Sequence, residues 1–140
     1  MNKKQGETCV AFICVQNAGR SQMAAAFARS KVEEENLPVN VTSGGTDPAD
    51  HVHDVVVEAM KEKGYDLSRN QPRMVEPEEL EGCDYVITMG CSAKGVCPAT
   101  WEGIDLEWNI DDPGEAELEK VREIRDEIES RVDLLLREVA

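Results

Sequence analysis

The sequence predicts a three-layer α/β/α domain built on a four-stranded parallel sheet. Three observations predict it. Four short apolar or alternating runs, at 10–14, 39–42, 85–89 and 104–108, have strand length. Stretches with helical spacing separate the first three and follow the fourth, and strands alternating with helices indicate a parallel sheet covered on both faces. The chain has 140 residues, enough to bury a core without disulfide or metal staples. Residues 1–140 read as one domain, with no internal repeat, linker or low-complexity segment.

Residues 10–14 (Val-Ala-Phe-Ile-Cys) are continuously apolar, as a strand buried on both faces requires. Residues 15–19 read as a loop. A helix is expected over 20–35, Ala-rich at its start (Met23, Ala24, Ala25, Ala26, Phe27) and polar at its end. The second strand, 39–42, is expected to close in a turn at Ser43-Gly44-Gly45-Thr46-Asp47-Pro48. A second helix is expected over 54–63, with Val55, Val56, Ala59 and Met60 apolar and Gly64 as its stop. Residues 66–77 are polar and irregular, and 77–80 suggest one helical turn. The third strand, 85–89, opens into a surface loop over 90–98. Residues 104–108 alternate as a fourth strand should. A turn at Asp111-Asp112-Pro113-Gly114 precedes a long helix with Leu118, Val121, Ile124, Ile128, Val132 and Leu135 at three- and four-residue steps. Trp101 and Trp108 are expected against that stripe, with Trp101 also covering part of the 90–98 loop.

Charge excludes several partner classes. Fifteen Lys and Arg against 29 Asp and Glu give a net charge of −14. No basic stripe offsets it, so neither nucleic acid nor an anionic membrane surface is an expected partner. No run approaches the ~20 apolar residues of a membrane span. The first residues, Met1-Asn2-Lys3-Lys4-Gln5-Gly6, lack the apolar core and cleavage site of a signal peptide. A cytoplasmic location is the expectation. There, thiols stay reduced unless they are catalytic. The five cysteines (Cys9, Cys14, Cys83, Cys91, Cys97) are thus not expected to form a static disulfide framework; Cys9 reads as structural and Cys83 as a spare thiol. Self-repulsion at this charge is relieved by salt. Adaptation to a salty cytoplasm and an ordinary acidic protein both accommodate it, and unfolding in low and molar KCl separates the two.

In parallel sheets, ligands bind at the carboxyl ends of strands. The loop after the first strand carries Cys14-Val15-Gln16-Asn17-Ala18-Gly19-Arg20-Ser21. Five residues between Cys and Arg let the backbone curl, so that N–H groups of Val15, Gln16, Asn17, Ala18 and Gly19 can point inward. Such a nest, backed by a helix N-terminus, binds a tetrahedral oxyanion. Arg20 can clamp that anion at two points. The same positive field favours a Cys14 thiolate, and Ser21 can donate a hydrogen bond to it. Asn17 can hold the curl by bonding loop carbonyls, and Gly19 permits tight geometry. A buried Cys beside a chance Arg is the bland alternative; the strand before and the helix after argue against it.

These residues, continuing through Gln22-Met23-Ala24, resemble the phosphate loop of low-molecular-weight protein tyrosine phosphatases. The resemblance continues through Ser43-Gly44-Gly45-Thr46, Gly64-Tyr65-Asp66-Leu67-Ser68, Val86-Ile87-Thr88-Met89-Gly90-Cys91 and Asp111-Asp112-Pro113. It is strongest to the arsenate reductases that share that fold. It implies the low-molecular-weight phosphatase fold, Cys14 as nucleophile, Arg20 as oxyanion ligand, and Asp112, directly before Pro113, as general acid. Asp112 is also a natural turn residue, and Asp111 competes for the acid role.

Two features separate reductase from phosphatase. By the resemblance, Cys91 and Cys97 would complete a reduction: Cys91 attacks Cys14 and releases arsenite, then Cys97 attacks Cys91 and carries the disulfide to a reductant, thioredoxin or a low-molecular-weight thiol. Phosphatases of this type also carry aromatics at the pocket mouth. Here Gly114-Glu115 follows Pro113 and 46–50 holds no aromatic, so a phosphotyrosine ring has no wall to stack on. Three departures stand out. Gly19 replaces a second Cys of many relatives, Ala25 replaces a Glu that helps bind a cation, and the Cys91–Cys97 gap is one residue shorter than in some. Zinc at Cys91 and Cys97 would need two further ligands, and His51 and His53 lack ligand spacing and read as solvated. No metal or other cofactor is expected. The reading is reduction of arsenate to arsenite, with phosphate also expected to enter the site. A phosphatase of phosphotyrosine or small phosphoesters, and a non-enzymatic redox-responsive oxyanion-binding protein, remain as alternatives.

Overall fold

The computed structural model describes residues 7–90, 97–98 and 100–139. Four strands, β1 (Thr8–Cys14), β2 (Val39–Gly45), β3 (Tyr85–Met89) and β4 (Ile104–Glu107), form one sheet in the order β2-β1-β3-β4, and every pairing is parallel. The helices are α1 (Arg20–Glu35), α2 (Asp54–Lys61), the short α3 (Pro77–Glu81) and the long α4 (Leu118–Val139). This is the expected three-layer α/β/α arrangement.

β1 runs through the centre, and its alternating side chains divide the core. Val10, Phe12 and Cys14 face α1, α2 and α4, meeting Met23, Phe27, Met60, Ile128 and Leu136. Cys9, Ala11 and Ile13 face the other way, onto Val75, Leu80 of α3, Cys83 and Val86. An apolar strand with no polar face is stable only between two such layers. Cys14 pairs with Gly45 on one side and Met89 on the other, so three strands reach the same sheet edge together.

β2 is longer than expected. The Ser-Gly-Gly sequence reads as a turn, yet Gly44 and Gly45 continue the ladder opposite Ile13 and Cys14. The glycines serve close approach instead. A Cβ on Gly44 would lie 2.9 Å from the Cβ of Val75, and one on Gly45 would lie 2.5 Å from the carbonyl oxygen of Val15. α2 stops at Lys61, two residues early, and Gly64 takes a left-handed φ of 92° beyond it.

The tryptophans part company. Trp108 lies past the end of β4, its ring 5.9 Å from that of Phe12, with the Arg131 guanidinium of α4 5.9 Å from its centroid. Trp101 does not reach the α4 stripe. It packs on the opposite face, where its indole N–H donates to the Cys83 carbonyl at 2.8 Å.

The cysteine expectation needs correction. Cys9 and Cys83, 74 residues apart in sequence, are joined as a disulfide with Cα atoms 4.5 Å apart. The backbone brings them together: the Asp84 N–H donates to the Cys9 carbonyl at 2.9 Å, and the Cys9 N–H donates to the Asp84 carboxylate at 2.8 Å.

α4 is amphipathic, but one charge is inside. Arg125 is buried, donating to the Ala59 carbonyl at 2.8 Å and to Glu62 at 2.9 Å, while Arg122 grips the same carboxylate. These hydrogen bonds from Arg122 and Arg125 pull Glu62 down to about 2. No helix among the described residues is long and apolar enough to cross a membrane.

Candidate active site

The loop 15–19 leaves β1 at the sheet edge and enters α1. Its carbonyls are all occupied from behind. Thr46, Asp47, Ala49 and His53 donate their backbone N–H groups to the carbonyls of Cys14, Val15, Gln16 and Ala18, at 3.3, 2.8, 3.0 and 2.9 Å. The Asn17 carbonyl accepts from the Gln22 side chain at 3.0 Å. In a trans peptide the N–H points opposite to the C=O. Carbonyls held outward therefore turn the following N–H groups inward, which builds the anion nest. The Asn17 N–H meets the Cys14 Sγ at 3.2 Å.

Asn17 adopts φ 51°, a left-handed conformation that Asn tolerates better than most residues. Its side chain does not bind loop carbonyls, as the sequence suggests, but orders its neighbours. Nδ2 donates to Ser21 Oγ at 2.7 Å, and Oδ1 accepts from Gln22 at 3.1 Å and from the Arg73 N–H at 3.0 Å. Ser21 Oγ in turn lies 2.8 Å from Cys14 Sγ. Asn17, Ser21 and Gln22 are all buried. Sequence reasoning missed Gln22, Asn70, which donates to Gln22 at 3.1 Å, and Arg73, which also donates to the Ser43 carbonyl at 2.6 Å. Only Gln22 offered a signal, by following Ser21 directly.

Arg20 begins α1 and turns back over the loop. Its Nη1 donates to the Ile110 carbonyl at 2.9 Å, and its Nη2 is 3.8 Å from an Asp112 carboxylate oxygen. Gly90, with φ 81°, lies under the guanidinium, where a Cβ would come within 2.9 Å of Nη2. Asp112 stands at the rim, 62 % exposed, with Oδ1 accepting the Gly114 N–H at 3.0 Å. Asp111 points elsewhere and pairs with Lys120 at 3.2 Å.

Cys14, Val15, Gln16, Ala18, Gly19, Arg20, His53, Gly90 and Asp112 enclose a pocket of about 360 Å³. His53 corrects the sequence reading of a solvated residue. Its N–H bond to Ala18 draws it onto the loop, and its ring forms part of the wall. Cys97 is not in the pocket. It packs against the cluster of Cys9, Ala11, Ile13 and Cys83, where burial and then Asp105 push its thiol up. Cys91 lies outside the described residues. Among the described residues no group of three or more His, Cys, Asp or Glu side chains could hold a metal ion.

The family model for low molecular weight phosphotyrosine protein phosphatase matches residues 9–140. A putative arsenate reductase of Halobacterium salinarum is 54% identical over 123 residues, which cover 86% of this chain and 85% of that one. Among solved structures, the thioredoxin-dependent arsenate reductase of Corynebacterium glutamicum has a TM-score of 0.76 at 35% identity, covering 98% of this chain and 64% of that longer one. An arsenate reductase in the phosphate binding state has a TM-score of 0.79 at 30% identity, covering 95% and 99%.

Proposed function

The chain belongs to the low molecular weight phosphotyrosine protein phosphatase family, and we propose that within it the protein is an arsenate reductase. One observation carries the reading. The pocket that holds Cys14 and Arg20 is small and, among the described residues, is lined by no Phe, Tyr or Trp, so it fits an inorganic tetrahedral oxyanion better than an aryl phosphate. The arsenate reductases among its relatives support the same reading.

The inward N–H groups and Arg20 bind the oxyanion and neutralise its charge. Ser21 and the Asn17 N–H stabilise the Cys14 thiolate, which attacks arsenic. An oxygen leaves as water, with its proton supplied by Asp112, the aspartate on the pocket rim. The thiolate of Cys91 then attacks the Cys14 sulfur. The arsenic–sulfur bond breaks with its electron pair going to arsenic, arsenite departs, and a Cys14–Cys91 disulfide remains. Cys97 displaces Cys14 from Cys91, and thioredoxin or a low-molecular-weight thiol reduces the resulting Cys91–Cys97 bond. The roles of Cys91 and Cys97 rest on the sequence resemblance. Phosphate fits the same site, so slow phosphoester hydrolysis through Cys14, Arg20 and Asp112 is an expected side activity.

The test measures arsenite release with thioredoxin and its reductase beside hydrolysis of p-nitrophenyl phosphate. Cys14→Ser abolishes both, because a serine hydroxyl does not ionise to attack unaided. Cys91→Ser abolishes reduction and retains hydrolysis. Wild-type hydrolysis without arsenite release would make the protein a phosphatase, and anion binding with neither activity would make it a binding protein.

A further inference from the structure

Three of the four cysteines among the described residues stand on the face of the sheet away from α1, and only one of them has a place in the relay above. Cys9 and Cys83 are joined there and buried. Cys97 packs against the same cluster. Topology explains why. The connection from β3 to β4 starts at the pocket edge, where Gly90 underlies Arg20, and ends at the opposite edge, where Trp101 is bonded to the Cys83 carbonyl. Cys97 is midway along it. Cys14 and Cys9 are five residues apart on one strand, or about 16 Å at a strand's rise per residue. The crossover therefore spans the distance between nucleophile and disulfide, and it carries a thiol onto the disulfide's face.

We propose that Cys9 and Cys83 are a second redox pair, which takes oxidation from Cys97 and so gives each fully reduced chain a reserve of two further electrons. This rests on the arsenate reductase reading. After one turnover Cys97 is in a disulfide with Cys91. The Cys83 thiolate attacks Cys97, forming a Cys83–Cys97 bond and releasing Cys91 as thiolate. Cys9 attacks Cys83, forming Cys9–Cys83 and releasing Cys97. Two protons pass from the Cys9 and Cys83 thiols to Cys91 and Cys97, and the dithiol is oxidised as the other disulfide is reduced. The Cys9–Cys83 bond in the structure is the end state of this transfer. Cys14, Cys91 and Cys97 are then ready for a second arsenate, and an external thiol reductant resets both pairs.

Each arsenate consumes one dithiol, so the number of arsenites per chain reads the reserve directly. The protein is reduced to five free thiols, counted in denaturant, freed of reductant without air, and mixed with excess arsenate alone. Two arsenites per chain are expected, with alkylation and mass spectrometry finding Cys9–Cys83 and Cys91–Cys97 disulfides and Cys14 free. Cys83→Ser halves the yield to one, whereas Cys9→Ala still gives two, because Cys83 stays bonded to Cys97 and the freed Cys91 completes a second reduction that ends in a Cys14–Cys91 disulfide. Cys97→Ser also stops at one, with Cys9 and Cys83 still alkylated as thiols. A wild-type yield of one, with Cys9 and Cys83 thiols intact, overturns the second pair while leaving the reductase standing. No arsenite at all overturns the reductase reading and the second pair with it.

Discussion

The Asn17 carboxamide determines the direction of the Ser21 hydroxyl. Nδ2 has only hydrogens to offer, and it donates to Ser21 Oγ at 2.7 Å. Ser21 Oγ accepts there, which leaves its own hydrogen free to donate to a Cys14 thiolate at Sγ, 2.8 Å away. A hydrogen bond to a charged group contributes about 1.5–3 kcal/mol. Ser21→Ala should therefore slow alkylation of Cys14 by iodoacetamide at neutral pH by about 10- to 100-fold. Asn17→Ala should slow it as well, though Ser21 remains. An Asn17→Ala protein that folds and alkylates like wild type would remove Asn17 from this chain of bonds.

The two adjacent aspartates offer a sharp comparison. Asp112 faces the pocket beside Arg20, whereas Asp111 is engaged by Lys120 on the surface. Asp112→Asn should lower turnover by roughly 10²–10⁴-fold, the usual range for a lost general acid, and Asp111→Asn should leave it nearly unchanged. Steady-state arsenite release by the two variants decides; the opposite ranking would transfer the acid role to Asp111.

Gly90 is held in place by two separate demands. Its φ of 81° is unfavourable for any residue with a Cβ, and that Cβ would meet the Arg20 guanidinium at 2.9 Å. Gly90→Ala should destabilise the fold by more than about 1 kcal/mol and, by displacing the clamp, reduce kcat/KM by about 10²-fold. Chemical denaturation and kinetics on the same preparation measure both. A stable variant with unchanged kcat/KM would show that Arg20 need not stay over Gly90.

Glu62 links α2 to α4 and makes their union sensitive to acid. Its folded value is depressed from 4.5 to about 2 by Arg122 and Arg125. A depressed carboxylate stabilises the folded state above its unfolded value and ceases to as pH falls through its folded value. The stability gap between wild type and Glu62→Gln should thus be full above pH 4.5, shrink below it and vanish near pH 2. Urea midpoints from pH 7 downward test this. A gap that stays constant with pH would assign the loss in Glu62→Gln to something other than charge.

Much of this architecture is written locally. The unbroken apolar run of β1 and the Ala-rich start of α1 each specify one outcome, and the loop between them follows from its Cys, Arg and Ser. Elsewhere one residue type serves two purposes. Gly44 and Gly45 signal a turn by composition, yet in the sheet they make room for Val75 and the loop backbone. Arg125 looks like one more charge on a charged helix, yet besides Asp126 next to it the end of α2 gives it a carbonyl and a second carboxylate partner. The Cys9–Cys83 pairing depends on β3 lying beside β1, a relation between segments 74 residues apart that no local pattern contains. His53 is drawn to the pocket by a backbone bond to Ala18, which a side-chain reading does not reveal.

The backing of the loop by Thr46, Asp47, Ala49 and His53 has a thermodynamic consequence. Protein groups alone fix each peptide plane of the nest, so an incoming anion has no chain segment left to order. Its affinity is not reduced by a folding step, and association resembles docking into a finished mould more than closure around a guest. The four amides lie in a stretch with little helix or strand, where exchange with deuterium is ordinarily quick. Here they should exchange as slowly as the ladder of β1, with or without phosphate in solution.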